Sequence, residues 1–175
     1  AEYGVEITFE GPPSESDIAE QVNMLNAALA KNPAALCLAA LDTESVSEQL
    51  NACLTNGVPV IGFDSGVPNA PEGSILSTAS TDNTAAGALA AETMYGIEAI
   101  SAAVAAATVD APVVLSVISQ DATSASITGR TTGFVEKMFE LCEAAQPGLV
   151  AVTGHDVWNK ASGSGDVAVE IVVAI

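Results

Sequence analysis

Apolar positions along the chain alternate between a period of two and a period near 3.6. "YGVEITF" (3–9) follows the first, with β-branched residues that favour a strand, and "GPPSES" reads as the turn after it. Ile18, Val22, Leu25 and Leu29 follow the second, behind a Ser14-x-x-Asp17 capping signal. "AALCLAAL" (34–41) is a short apolar run, and Val46, Leu50 and Leu54 mark a second helix, capped near Asp42 or Thr43 and ended by Asn56-Gly57. "VPVIGF" (58–63) and "SILSTAS" (74–80) predict two further strands. An Ala-rich helix runs from Asn83 to about Tyr95, with a continuation toward Ala107. The strand "APVVLSVIS" (111–119), a helix from about Thr128 to Ala145, the strand "GLVAVTG" (148–154) and a last helix from about Gly165 complete the prediction.

Nearly wholly apolar strands alternating with amphipathic helices indicate an α/β chain with a parallel sheet, flanked by helices and buried on both faces. Such sheets place ligand groups in the loops after the C-terminal ends of their strands. Those loops hold Asp64, then Thr81-Asp82-Asn83, then Gln120-Asp121 leading to Arg130, and finally His155-Asp156-Val157-Trp158-Asn159. The lone Arg, lone His and lone Trp of the chain all fall in or just beyond these loops.

Charge narrows the partners. With 22 acidic residues against four Lys and Arg, the formal net charge is −18. A chain this acidic lacks the basic clusters that bind nucleic acid or anionic membranes. No run approaches the roughly 20 apolar residues of a membrane span, because Asp110 and Pro112 interrupt the longest candidate. Direct membrane insertion is therefore not expected. No signal peptide is visible before the first strand-like segment. Cys37, Cys53 and Cys142 sit in apolar segments without CxxC or Cys/His spacing, so they are expected as buried small hydrophobes and no metal is expected.

Enzymatic motifs are missing too. The chain has no G-x-S-x-G, no G-x-x-x-x-G-K-[ST] and no H-E-x-x-H. Gly163 to Ala168 fits G-x-G-x-x-A by letter, yet it stands about ten residues from its strand and lacks the acidic residue about 20 beyond, so a dinucleotide site is not expected. His155 has no Ser or Cys partner at recognisable spacing and reads as a polar loop residue.

The stretch from "YGVEITFEGPPSESD" to "VPVIGFDSG", followed by "STDNTAAGALAAE" and "SASITGRTTGF", resembles the ribose/galactose-type periplasmic binding proteins of ABC sugar importers. The resemblance covers nearly the whole chain, in order and spacing. It implies two Rossmann-like lobes, one or both incomplete here: an N-terminal lobe over 1–108 without the family's first strand and helix, and the start of a C-terminal lobe over 109–175. The hinge would fall near Thr108 to Ala111. The family's missing first strand would lie between residues 4–9 and 35–41, leaving a gap to be closed, filled by another chain or left frayed. On this resemblance the chain is read as a fragment, ending in "VEIVVAI" within a helical run that lacks a Gly or Pro stop.

The resemblance also implies a function. The intact protein would be a non-enzymatic, cofactor-free solute-binding component of an ABC importer, holding a monosaccharide or small carbohydrate between its lobes and delivering it to a membrane permease. Its location would be periplasmic or extracellular, with lipid anchoring at the bacterial cell surface as one form. The alternative is the sugar-sensing domain of a LacI-type transcriptional regulator. Carried over by position, Asp64 in "GFDSG" matches an Asp that bonds sugar hydroxyls, Ser65 stands where some members have an Arg, Arg130 matches the second-lobe Arg, and Trp158 matches a ring-facing aromatic. A carboxylate that accepts and a guanidinium that donates suit a neutral polyol, and an aromatic face suits its C–H surface. Plain alternatives stand beside these roles. Arg130 could pair with a surface carboxylate, Asp64 could cap a turn, Trp158 could anchor its loop, and Asp82 and Asn83 are expected to cap the following helix.

Overall fold

The computed structural model describes residues 3–163 and 165–175. Contacts divide the chain into two compact units, Ala1–Ser80 and Thr81–Ile175. The division lies upstream of the 108/109 lobe boundary that the family resemblance implies.

In the first unit, α1 (Ile18–Leu29), β1 (Leu36–Leu38), α2 (Ser47–Asn56), β2 (Val60–Phe63) and β3 (Ser77–Ala79) form a parallel sheet of order β1-β2-β3 with two helices. Leu36 pairs with Val60, and Phe63 with Ala79. Leu38 and Val60 face a core with Leu25 of α1, Val46, and Leu50 and Cys53 of α2. Gln21 ties α1 to the sheet end, donating from Nε2 to the Ala39 carbonyl while its Oε1 accepts from the Leu41 N–H, both at 2.9 Å. Gly57 closes α2 in the left-handed conformation (φ 68°), as the Asn56-Gly57 stop implied. The Asp42 carboxylate accepts from the Glu44 and Ser45 N–H groups ahead of α2, and Asp17 stands before α1 without a side-chain capping bond.

Three expectations fail in this unit. Residues 3–9 form no strand, and Tyr3, Val5, Ile7 and Phe9 are all exposed. Their alternation supplies strand propensity but not a neighbour, and an extended segment without a ladder partner leaves its backbone to water. Among the described residues β1 stands at the edge of the sheet. Among the described residues only one sheet face is covered: Ile61 and Phe63, 36% and 37% exposed, lie on the other face with Cys37. Cys37 is therefore exposed, because residue 37 has the opposite strand parity to Leu36 and Leu38.

In the second unit, α3 (Asn83–Tyr95), α4 (Glu98–Ala106), β4 (Val113–Ile118), α5 (Ala125–Ala145), β5 (Val150–Thr153), β6 (Lys160–Ala161) and β7 (Val169–Ala174) build a sheet of order β4-β7-β5-β6. β7 runs parallel to both β4 and β5, and β6 is antiparallel to β5. The last helix expected from Gly165 is this central strand instead. Val169, Ile171 and Val173 are fully buried at alternate positions, and a short β-branched run fits a pleated strand between two neighbours better than a helix. The helix expected to continue from Tyr95 toward Ala107 breaks at Gly96-Ile97, where Ile97 is extended, and resumes as α4. The orphan carbonyls at the end of α4 find a donor in Gln146, whose Nε2 reaches Val104, Ala105 and Ala107.

α5 covers the sheet with Val135, Met138 and Cys142, which pack on Leu115, Val150, Val152, Val169 and Ile171. It also meets α3 at backbone distance. A Cβ on Gly87 would stand 2.0 Å from the Arg130 carbonyl oxygen, and one on Gly133 would stand 2.0 Å from the Thr84 carbonyl oxygen. Backbone cannot yield to such an overlap as a flexible side chain could, so each position requires glycine.

Gly133→Ala or Gly87→Ala should destabilise the protein by about 1–3 kcal/mol or more, by the overpacking rule. Gly11→Ala, where a Cβ meets nothing within 4 Å, should stay within about 0.5 kcal/mol of the parent in the same urea titration. Burial pushes the Cys142 thiol up to about 11 and also raises Cys53. Because the folded-state value of Cys142 lies above the ordinary 9.0, its contribution is intact below pH 9.0 and stability declines as pH rises toward about 11. Maleimide at mildly alkaline pH should modify Cys37 in the native protein and reach Cys53 and Cys142 only after unfolding, as peptide mass mapping will show.

Candidate functional site

Each unit carries part of the expected residue set at the C-terminal ends of its strands. Asp64 follows β2 with a left-handed backbone (φ 56°), a conformation that Asp tolerates better than most residues but that is uncommon outside glycine. Both of its backbone groups are held: the N–H donates to the Ala79 carbonyl at 2.9 Å, and the carbonyl accepts from the Ser80 hydroxyl at 2.6 Å. The side chain is exposed. Ser65 is buried, and its carbonyl accepts from the Ala40 N–H at 3.1 Å, which joins the loop after β2 to the loop after β1.

In the second unit the loop between β4 and α5 is rigidified by its own small polar residues. The Asp121 carboxylate accepts from the Thr123 and Ser124 N–H groups, the Ser119 hydroxyl reaches the Asp121 carbonyl, and Ser119 and Thr131 hydroxyls pair at 2.9 Å in the interior. Thr128 returns its hydroxyl to the Ser124 carbonyl at 2.7 Å. Thr128 thus serves a nearby backbone carbonyl and Thr131 a side chain of the preceding loop, and the arginine itself is left at the surface.

Its partner is not a carboxylate. Nη2 of Arg130 donates to Oδ1 of Asn83 at 2.6 Å. Lys31, Lys137 and Lys160 each pair with glutamates, whereas among the described residues no carboxylate lies within ion-pair distance of Arg130. Among the charged side chains of Lys and Arg in the described residues, the guanidinium is the one matched to a neutral amide. Asp82 caps α3, its side chain accepting from the Ala85 N–H at 2.9 Å, as expected. Asn83, also expected to cap, is instead the first helical residue of α3. Its bond to a residue 47 positions away leaves no trace in local sequence pattern, so only tertiary packing shows it.

Trp158 is 5% exposed and belongs to the core of its unit. Its indole N–H donates to the Thr132 hydroxyl at 2.9 Å, which anchors the loop after β5 to α5; Thr132 stands two residues from Arg130, and positions two apart on a helix point to different sides. His155 lies against the Trp158 ring, centroids 5.2 Å apart, and its Nδ1 accepts from the Val157 N–H, consistent with a polar loop role. Two shallow surface depressions, one at the start of α1 and one beside Pro59 and Ser74, contain none of Asp64, Ser65, Arg130 or Trp158. No group of three or more His, Cys, Asp or Glu among the described residues is placed to hold a metal, and none of their helices is long and apolar enough to cross a membrane. Of the glycine-rich string 163–168, Ser164 lies outside the described residues, and β7 rather than a helix follows it.

Residues 1–173 match the family model described as "Periplasmic binding protein domain". Among curated proteins no relative matches the chain. Among solved structures, an "ABC transporter, LacI family transcriptional regulator" from Brachyspira murdochii is 34% identical with a TM-score of 0.69, over 98% of this chain and 48% of the other. An ABC transporter solute binding protein from Agrobacterium vitis, solved with bound D-fucose, is 32% identical with a TM-score of 0.65, over 76% of this chain and 42% of its own. A sugar ABC transporter sugar-binding protein from Bacillus halodurans is 26% identical with a TM-score of 0.62, over 98% and 46%. The chain spans about half the length of these structures.

The sole tryptophan reports on this neighbourhood. Its fluorescence should be blue-shifted in the native protein and resist acrylamide quenching until unfolding. Thr132→Val, which removes the indole's acceptor while keeping the shape, should cost about 1–3 kcal/mol in urea titrations through the unsatisfied N–H.

Proposed function

Because the chain belongs to the periplasmic binding protein domain family, whose members are solute-binding proteins, we propose that it is part of the sugar-binding component of an ABC importer. The intact protein then works at the bacterial cell surface or in the periplasm, takes a monosaccharide or small carbohydrate, and hands it to a membrane permease. Sugar-bound relatives support the ligand class, D-fucose being the ligand of the Agrobacterium vitis protein. The observation that carries the proposal is Arg130, exposed on α5 and held by a neutral amide instead of a carboxylate.

The chemistry follows from donors and acceptors. A sugar hydroxyl both donates and accepts, so a carboxylate such as Asp64 suits its proton and a guanidinium such as Arg130 suits its oxygen. Ser65 belongs to the set through its loop, and Trp158 through the small edge it exposes, with its ring buttressing α5 from behind. A charge of −18 penalises an anionic ligand and leaves a neutral polyol unaffected, which favours uncharged sugars over sugar phosphates.

Thermal shift of the whole gene product that contains this chain, against pentoses, hexoses, disaccharides and polyols, tests the reading. A sugar at 100 times its dissociation constant should add about 2.7 kcal/mol of stability, and a flat panel overturns the proposal. Arg130→Ala should weaken binding of the selected sugar at least several-fold without loss of fold. Asp64→Gly separates two roles of that residue: glycine accepts the positive φ, so stability should hold while calorimetric affinity for the sugar falls.

A further inference from the structure

We propose that Asn83 is a positioning residue for ligand recognition, aiming the Arg130 guanidinium by a single neutral hydrogen bond; this rests on the sugar-binding reading of Arg130. Arginine carries several rotatable bonds, and an exposed guanidinium ordinarily samples many orientations, so fixing it before the ligand arrives removes part of the ordering cost of binding. The fixing is built into the helix pair. Asn83 is the first residue of α3, and the backbone approach of α3 to α5 at Gly87–Arg130 and Gly133–Thr84 sets the register of the two helices. Asn83 Oδ1 then meets Arg130 Nη2 at 2.6 Å, while Asn83 Nδ2 donates to the Thr81 carbonyl at 3.2 Å. That second bond fixes which side of the amide faces the arginine.

The choice of amide matters. A carboxylate in this place would take the guanidinium as a two-point ion pair and occupy the donors that a polyol needs. Asn offers one oxygen, engages one of five N–H groups, and leaves the positive charge uncompensated. Elsewhere in the described chain the cations are paired with glutamates, so the neutral partner is particular to this site. The start of α3 does not depend on Asn83, because Asp82 supplies the cap.

A double-mutant cycle decides the matter. On the whole gene product, the sugar giving the largest thermal shift in a panel of D-fucose, D-arabinose, D-galactose, D-ribose and D-tagatose is titrated by calorimetry. The proteins compared are the parent, Asn83→Ala, Arg130→Lys and the double variant. The expected result is an affinity loss of about three- to tenfold for Asn83→Ala in the parent, the worth of one aimed hydrogen bond, and no further loss on the Arg130→Lys background. The melting temperature without sugar should stay unchanged. Equal losses on both backgrounds, or a fall in melting temperature that accounts for the loss, would make Asn83 merely structural and overturn the inference. Unchanged affinity in Asn83→Ala, with sugar bound by the parent, overturns it while sparing the sugar-binding reading. A parent that binds no sugar in the panel removes both.

Discussion

Two glycines set the geometry on which the second unit depends. Gly87 and Gly133 let α3 and α5 touch through backbone, each facing a carbonyl oxygen that any side chain would strike. An Ala-rich helix such as α3 has little apolar bulk to bury, so its stability comes from closeness of approach rather than from large side chains. The same contact delivers Asn83 to Arg130, while the opposite side of α5 sends Met138 and Cys142 into the core. One helix thus serves as the floor of the fold and the carrier of the chain's lone arginine.

The electrostatics are organised around that economy. With so few cations among so many carboxylates, each lysine is taken up by glutamates and gains little, since exposed pairs contribute at most about 1 kcal/mol. Arg130 escapes this fate because its nearest acceptor is an amide. A charge retained without a counter-charge is available to a ligand, and a neutral polyol is a ligand that the surrounding negative field does not repel. Asp64 in the other unit shows the parallel device: its backbone is clamped at both ends in a left-handed turn while its side chain stays exposed.

The two sheets share an unfinished character. Helices cover one face of the first sheet, β1 forms an open edge, and the alternating apolar residues of 3–9 stand exposed without a ladder. The second sheet shows the same at β4, where Val114 and Ile118 are exposed while Leu115 is buried. Parallel sheets of this class are normally covered on both faces, and the chain spans about half the length of the structures it matches.

Local pattern was enough to determine the α/β class, nearly all helices and five strands, the Gly57 stop and the Asp82 cap, because each rests on the periodicity or turn chemistry of neighbouring residues. The family resemblance was legible for the same reason, as an ordered string of short motifs. Pairing was not. Residues 3–9 read as a strand and the stretch from Gly165 as a helix, yet only 169–174 lies between two ladders, because strand pairing depends on distant neighbours that local periodicity does not name. Burial of Cys53 against exposure of Cys37 likewise depends on which sheet face receives helices. The Asn83–Arg130 bond belongs to tertiary structure alone, since it joins residues 47 apart through a helix crossing whose closeness is decided by two glycines meeting backbone in space.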